Sequence, residues 1–80
     1  MMARMTKAQI RALQAVEAGT VKRVYRATGN VLIGPTGVSS RTLWSLAGLI
    51  RDGSIERGGL IPVYIQELTP LGRATLKEQT

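Results

Sequence analysis

Cysteine, histidine and phenylalanine are all absent, and only five carboxylates are spread over eighty residues. Without cysteine there are no disulfides and no thiolate nucleophile. With histidine missing too, the usual zinc ligand sets and the commonest general base are lost as well. The carboxylates Glu17, Asp52, Glu56, Glu67 and Glu78 fall into no motif. Asp52 and Glu56 stand beside Arg51 and Arg57, where ordinary surface ion pairing is expected. Catalysis therefore has little to work with, and no metal or other cofactor is expected. Long hydrophobic runs are missing as well. The longest, Leu60 to Ile65, is far short of the ~20 residues of a membrane span, and the opening MMARMTKAQI lacks the continuous apolar centre of a signal peptide. These absences point to a non-enzymatic cytoplasmic protein without membrane contact.

What is present is basic. Eleven Lys and Arg against five Asp and Glu give a formal charge of +6 and a pI near 10.9, which in a small domain points to an anionic partner, most often nucleic acid. The excess lies in the N-terminal half: residues 1–20 carry +2, 21–36 carry +3, 37–53 carry +1, and 54–80 sum to zero. A length of 80 residues with 44% hydrophobic content suits one domain, 1–80, around one modest core.

Local signals mark the elements. Thr6 with Gln9 three residues on is a capping box, and Met5 with Ile10 a hydrophobic staple. Ile10, Ala12, Leu13 and Val16 then form an apolar stripe opposite Arg4, Lys7, Arg11 and Gln14, and Gly19 ends the helix. VKRVYRATGNVLI predicts a β-hairpin turning over Ala27 to Asn30. The breaker Gly34 to Gly37 leads to Ser39 as N-cap, with Val38 and Leu43 as a second staple. The spacing of Leu43, Leu46, Ala47 and Ile50 predicts a helix over 39–52 that stops at Gly53. SIERGGLIPVYIQEL reads as two strands joined at Gly58-Gly59, with Pro62 at an outer edge. Thr69 as N-cap and Pro70 at N1 open a last helix to about Glu78. The expected class is α+β, with three helices and two short hairpins.

Two stretches carry a family likeness: SSRTLWSLAGLIRDGSIER, Ser39 to Arg57, and ELTPLGRATL, Glu67 to Leu76. They resemble the recognition helix with first wing strand, and the Leu-Thr-x-x-Gly opening of the following helix, in winged helix-turn-helix domains. The likeness is to the compact MarR-like core of small phage or actinobacterial proteins. It implies a winged helix-turn-helix fold and sequence-specific binding of double-stranded DNA by a small transcriptional regulator. Two departures stand out. Where a further helix normally precedes the recognition helix, VKRVYRATGNVLIGPTG reads as strands and turn, so either that helix is shortened or a hairpin replaces it; the long flanking helices that dimerise and form effector pockets are also missing, so no small-molecule effector is expected. A homodimer remains open.

On an outward face of helix 39–52, Arg41 can bond guanine O6 and N7, Thr42 and Ser45 a base edge or phosphate, and Ser40 a phosphate at the helix N-terminus, with Trp44 on the flank. A cation in a first helical turn is otherwise unfavourable, so Arg41 reads as placed for a partner. Lys22, Arg23 and Arg26 offer phosphate contacts from the first hairpin, and Arg57 at the wing tip a minor-groove contact. Gly48, costly inside a helix, suggests a close approach. A rival reading is a protein-interaction module in which Trp44 and the 60–65 strand form the contact surface and the apolar edge IPVYI pairs with a partner strand.

Overall fold

The computed structural model describes residues 4–57 and 59–80. In chain order it contains α1 (Lys7–Glu17), β1 (Lys22–Arg26), β2 (Gly29–Ile33), α2 (Ser40–Trp44), β3 (Ile50–Glu56), β4 (Val63–Leu68) and α3 (Pro70–Gln79). The protein is a small α+β domain whose three helices accompany one four-stranded antiparallel sheet of order β2-β1-β4-β3. None of the described helices is long and apolar enough to cross a membrane.

The helix starts follow from their caps. Thr6 Oγ1 accepts from the Gln9 N–H while Gln9 Oε1 accepts from the Thr6 N–H, both at 3.1 Å. The end of α1 is a Schellman motif, with Gly19 N–H on the Val16 carbonyl and Thr20 N–H on the Ala15 carbonyl. Ser39 Oγ caps α2 through the Thr42 N–H, and Thr69 Oγ1 caps α3 through the Gly72 N–H. Met5, Ile10 and Val38 pack against the core as the staples require.

Helix α2 is far shorter than 39–52. It ends at Trp44, because Ser45 Oγ donates to the Thr42 carbonyl and the chain tightens into successive three-residue turns, Leu46 N–H to Leu43 O and Leu49 N–H to Leu46 O. Gly48 then adopts φ +84° and β3 begins at Ile50. The apolar spacing misled because two geometries satisfy it. Leu43 and Leu46 are fully buried, Ala47 is exposed, and Ile50 reaches the core as the first residue of a strand. Gly53, expected as a helix stop, lies inside β3 at the register shift between Asp52 and Ile55.

The hairpins differ in detail from expectation. Arg26 pairs with Gly29, so the first turn is only Ala27-Thr28 and Asn30 lies in the strand. The second connection spans 57–62; Gly58 lies outside the described residues, and Leu60 and Ile61 are exposed in the loop and not in a strand. β4 pairs with β1 on one side and β3 on the other, so IPVYI offers no free edge. Pro62 precedes β4, and its carbonyl accepts from the Tyr25 N–H at 3.0 Å. Both hairpin tips point the same way, away from the chain connections to the helices.

Register assigns two faces to the sheet. Arg23, Tyr25, Asn30, Leu32, Ile50, Asp52, Tyr64, Gln66 and Leu68 share one; Lys22, Val24, Val31, Ile33, Arg51, Glu56, Val63, Ile65 and Glu67 share the other. The first face meets the helices. Its Leu32 and Leu68 join Ala12, Leu13, Val16, Val21, Leu43, Leu46 and Leu76 in one aliphatic core. Each fully buried Leu there contributes roughly 1.5–3 kcal/mol.

The close approach suspected at Gly48 occurs elsewhere. Space around Gly48 is open and only its positive φ requires glycine, whereas a Cβ on Gly72 would run into the Leu49 carbonyl. Thr69 fixes this contact, its N–H on Leu49 O and its hydroxyl on Gly48 O at 3.0 and 2.8 Å. Gly72→Ala should therefore lose about 3 kcal/mol or more, since rigid backbone cannot yield, and Gly48→Ala only about 1–2 kcal/mol for the left-handed conformation. Urea unfolding of the two variants checks the ranking; equal losses would contradict it.

Candidate nucleic-acid interface

The charged side chains pair across the sheet and not along the sequence. Asp52, expected to pair with its neighbours, instead faces Arg23 Nε at 3.3 Å; Glu56 holds Lys22 at 2.9 Å, and Glu67 holds Arg51 at 3.2 Å. Lys22 and Arg23, expected to be free for phosphates, are thus the fold's own ion-pair partners. Arg23 is the more committed. Its Nη1 also donates to Asn30 Oδ1 at 3.3 Å, and its guanidinium carbon lies 5.1 Å from the Trp44 ring centroid, within cation–π range.

Asp52 anchors a network. Tyr25 Oη donates to Oδ2, and Gln66 Nε2, on a side chain almost wholly buried, donates to Oδ1 at 2.7 Å. Partial burial by itself pushes the Asp52 carboxyl up, but the hydrogen bonds from Tyr25 and Gln66 and the positive charge of Arg23 outweigh it and hold the group below its ordinary value of 3.8. The same bond to Asp52, with burial and the nearby negative charge, raises the Tyr25 phenol against the opposing effect of Arg23. Nothing in the sequence announced Gln66 or Asp52 as members of one site, because their contact depends on β3–β4 register.

The remaining expected residues lie as follows. Ser40 and Arg41 are exposed on α2, and Arg41 belongs to a helix of five residues, too short for a macrodipole to disfavour a cation there. Thr42 and Ser45 are engaged locally: Thr42 Oγ1 lies 2.8 Å from Ser39 Oγ, and Ser45 Oγ accepts from Gln9 Nε2 at 3.2 Å. That last bond ties α2 to α1, and the Arg11 guanidinium lies beside Gly37 at the approach to α2. Trp44 is 45% exposed. Arg26 and Arg57 are exposed at the tip end of the sheet. Among the described residues Arg4, Lys7, Arg11, Arg26, Arg41, Arg57, Arg73 and Lys77 enter no ion pair. Of these, Arg73 and Lys77 line an open cleft with Arg51, between α3 and the sheet, that sequence reasoning did not find.

The surface of the rival reading is divided. Trp44 leans toward the helical face through Arg23, whereas Val63 and Ile65 point to the opposite face.

Because its folded value is depressed, Asp52 stabilises the fold above the unfolded aspartate range, and that contribution disappears as pH falls through the folded value. With 31% of the side chain exposed, the effect at neutral pH should be no more than about 1 kcal/mol. Asp52→Asn should lower the urea midpoint at pH 7, and the gap to wild type should close below about pH 4; a gap constant with pH would contradict the assignment. No protein-family model, curated protein or solved structure gives a significant match to this chain.

Proposed function

We propose that the protein is a small, non-enzymatic DNA-binding protein of the transcriptional-regulator type, its α2-β3-β4-α3 order serving as a reduced winged helix. One observation carries this reading: the separation of charge. Three of the five carboxylates are consumed by Lys22, Arg23 and Arg51, while residues 18–51 contain no carboxylate at all. The uncompensated cations lie on the helices, Lys7 and Arg11 on α1, Arg41 on α2 and Arg73 and Lys77 on α3, and at the sheet tips in Arg26 and Arg57, while Gln9 and Ser45 join α1 to α2. Such a field attracts a polyanion and concentrates it at the surface.

In this reading Lys7 and Arg11 on α1 grip phosphates, and Arg26 and Arg57 extend the grip at the sheet tips. Arg41 and Ser40, exposed on a short helix, are the groups that reach base edges. Five residues present one turn and a half to a groove, so base contacts are few and backbone attraction supplies most of the affinity.

Fluorescence anisotropy with random and selected duplexes tests this. Affinity should fall steeply between about 50 and 200 mM salt. Arg11→Ala should weaken all duplexes alike and reduce the salt slope by about one unit, whereas Arg41→Ala should cost about 1–3 kcal/mol on the preferred sequence alone. Arg23→Ala should act mainly on stability, as befits its internal ion pair. Absence of duplex binding at low salt would end the proposal.

A further inference from the structure

The chain's three aromatic residues, Tyr25, Trp44 and Tyr64, converge on the helical face of the sheet, yet none belongs to the aliphatic core. Tyr25 and Tyr64 stand on the adjacent strands β1 and β4 with ring centroids 5.5 Å apart at 88°. Tyr64 pairs across the seam with Arg23, which carries the Trp44 ring over its guanidinium. The helices bury Leu32, Gln66 and Leu68 and leave this end of the face partly open: both tyrosines are half-buried and Trp44 is half-exposed.

We propose that this surface is a stacking platform for the unpaired bases of single-stranded nucleic acid, a proposal that rests on the nucleic-acid reading above. Flat π-faces suit a base released from its duplex, while a paired and stacked base keeps its own faces covered. The platform is held in place. Asp52 fixes both Tyr25 and Arg23, and Arg23 positions Trp44. The charge is complementary to the phosphates that accompany such bases: Arg57 follows β3 at the same end of the sheet as Tyr25 and Tyr64, and Arg26 ends β1 at that end on the opposite face, where it can meet a strand that passes over the sheet tip; neither has an ion-pair partner among the described residues. An aliphatic protein partner would leave those cations unmatched.

Trp44 is the only tryptophan and reports directly. A thymidine oligomer of about a dozen nucleotides should quench its fluorescence saturably, and inorganic polyphosphate of equal charge should not. Tyr64→Phe, which keeps the ring, should bind the oligomer like wild type, and Tyr64→Leu should lose about tenfold or more, with circular dichroism confirming that each variant is folded. If Tyr64→Leu binds like wild type, or if polyphosphate and oligomer behave alike without quenching, the platform is refuted; retained duplex binding with its salt slope would then leave the DNA-binding reading standing. Failure to bind either duplex or single strand overturns both.

Discussion

The antiparallel seam between β1 and β4 is the contact on which the rest of the molecule depends. Each hairpin alone would be a two-stranded ribbon, marginal in water. Pairing of Lys22, Arg23 and Val24 with Ile65, Tyr64 and Val63 joins them into one sheet, and that sheet presents a continuous apolar patch for α1, α2 and α3. The Gln66 N–H on the Val21 carbonyl, at 2.8 Å, extends the seam to the start of β1, where the core begins. Everything proposed about ligands inherits this geometry, since the seam brings Arg23 beside Tyr64 and Tyr25 within reach of Asp52.

A half-buried ion pair in so small a protein is a doubtful source of net stability, because desolvation offsets most of the attraction. Its effect here is on register. A slip of one residue along β1 or β3 would move Arg23, Tyr25 or Asp52 to the opposite face and leave the buried Gln66 amide without its carboxylate partner. The network thereby penalises wrong pairings more than it rewards the right one. On the other face the Lys22–Glu56 pair links β1 to β3 across β4 and opposes the same slip from outside.

These physical ranges also explain what the sequence revealed. The caps at Thr6, Ser39 and Thr69 were legible because each is complete within four residues, as was the helix stop at Gly19. The length of α2 was not. Leu43, Leu46 and Ile50 have the spacing of a helical stripe, and only the Ser45 back-bond and the left-handed Gly48 divide them between a turn and a strand. The Thr69-x-x-Gly72 pattern was visible as a motif, but its physical content, a docking of α3 on the Gly48 and Leu49 carbonyls, required the fold. The ion pairs and the aromatic cluster were hidden for a common reason. Lys22 with Glu56, Arg23 with Asp52 and Tyr25 with Tyr64 are about thirty residues or more apart, and no local rule couples them.

That long-range pairing also governs how the surface meets a polyanion. Had Asp52 and Glu56 paired with Arg51 and Arg57, as adjacency suggests, β3 would have neutralised itself and left Lys22 and Arg23 among the free cations of the first hairpin. Instead the carboxylates of the C-terminal half reach across β4 to neutralise β1, which leaves the uncompensated charge on the three helices and the two hairpin tips. A free Arg23 would attract phosphates to the sheet face where the helices already lie. Cations at the rim can be reached, and Arg26 and Arg57 stand at the end of the sheet where the two tyrosines are half open. The fold thus spends three of its five carboxylates on architecture, and the positive charge that remains is the part available to a partner.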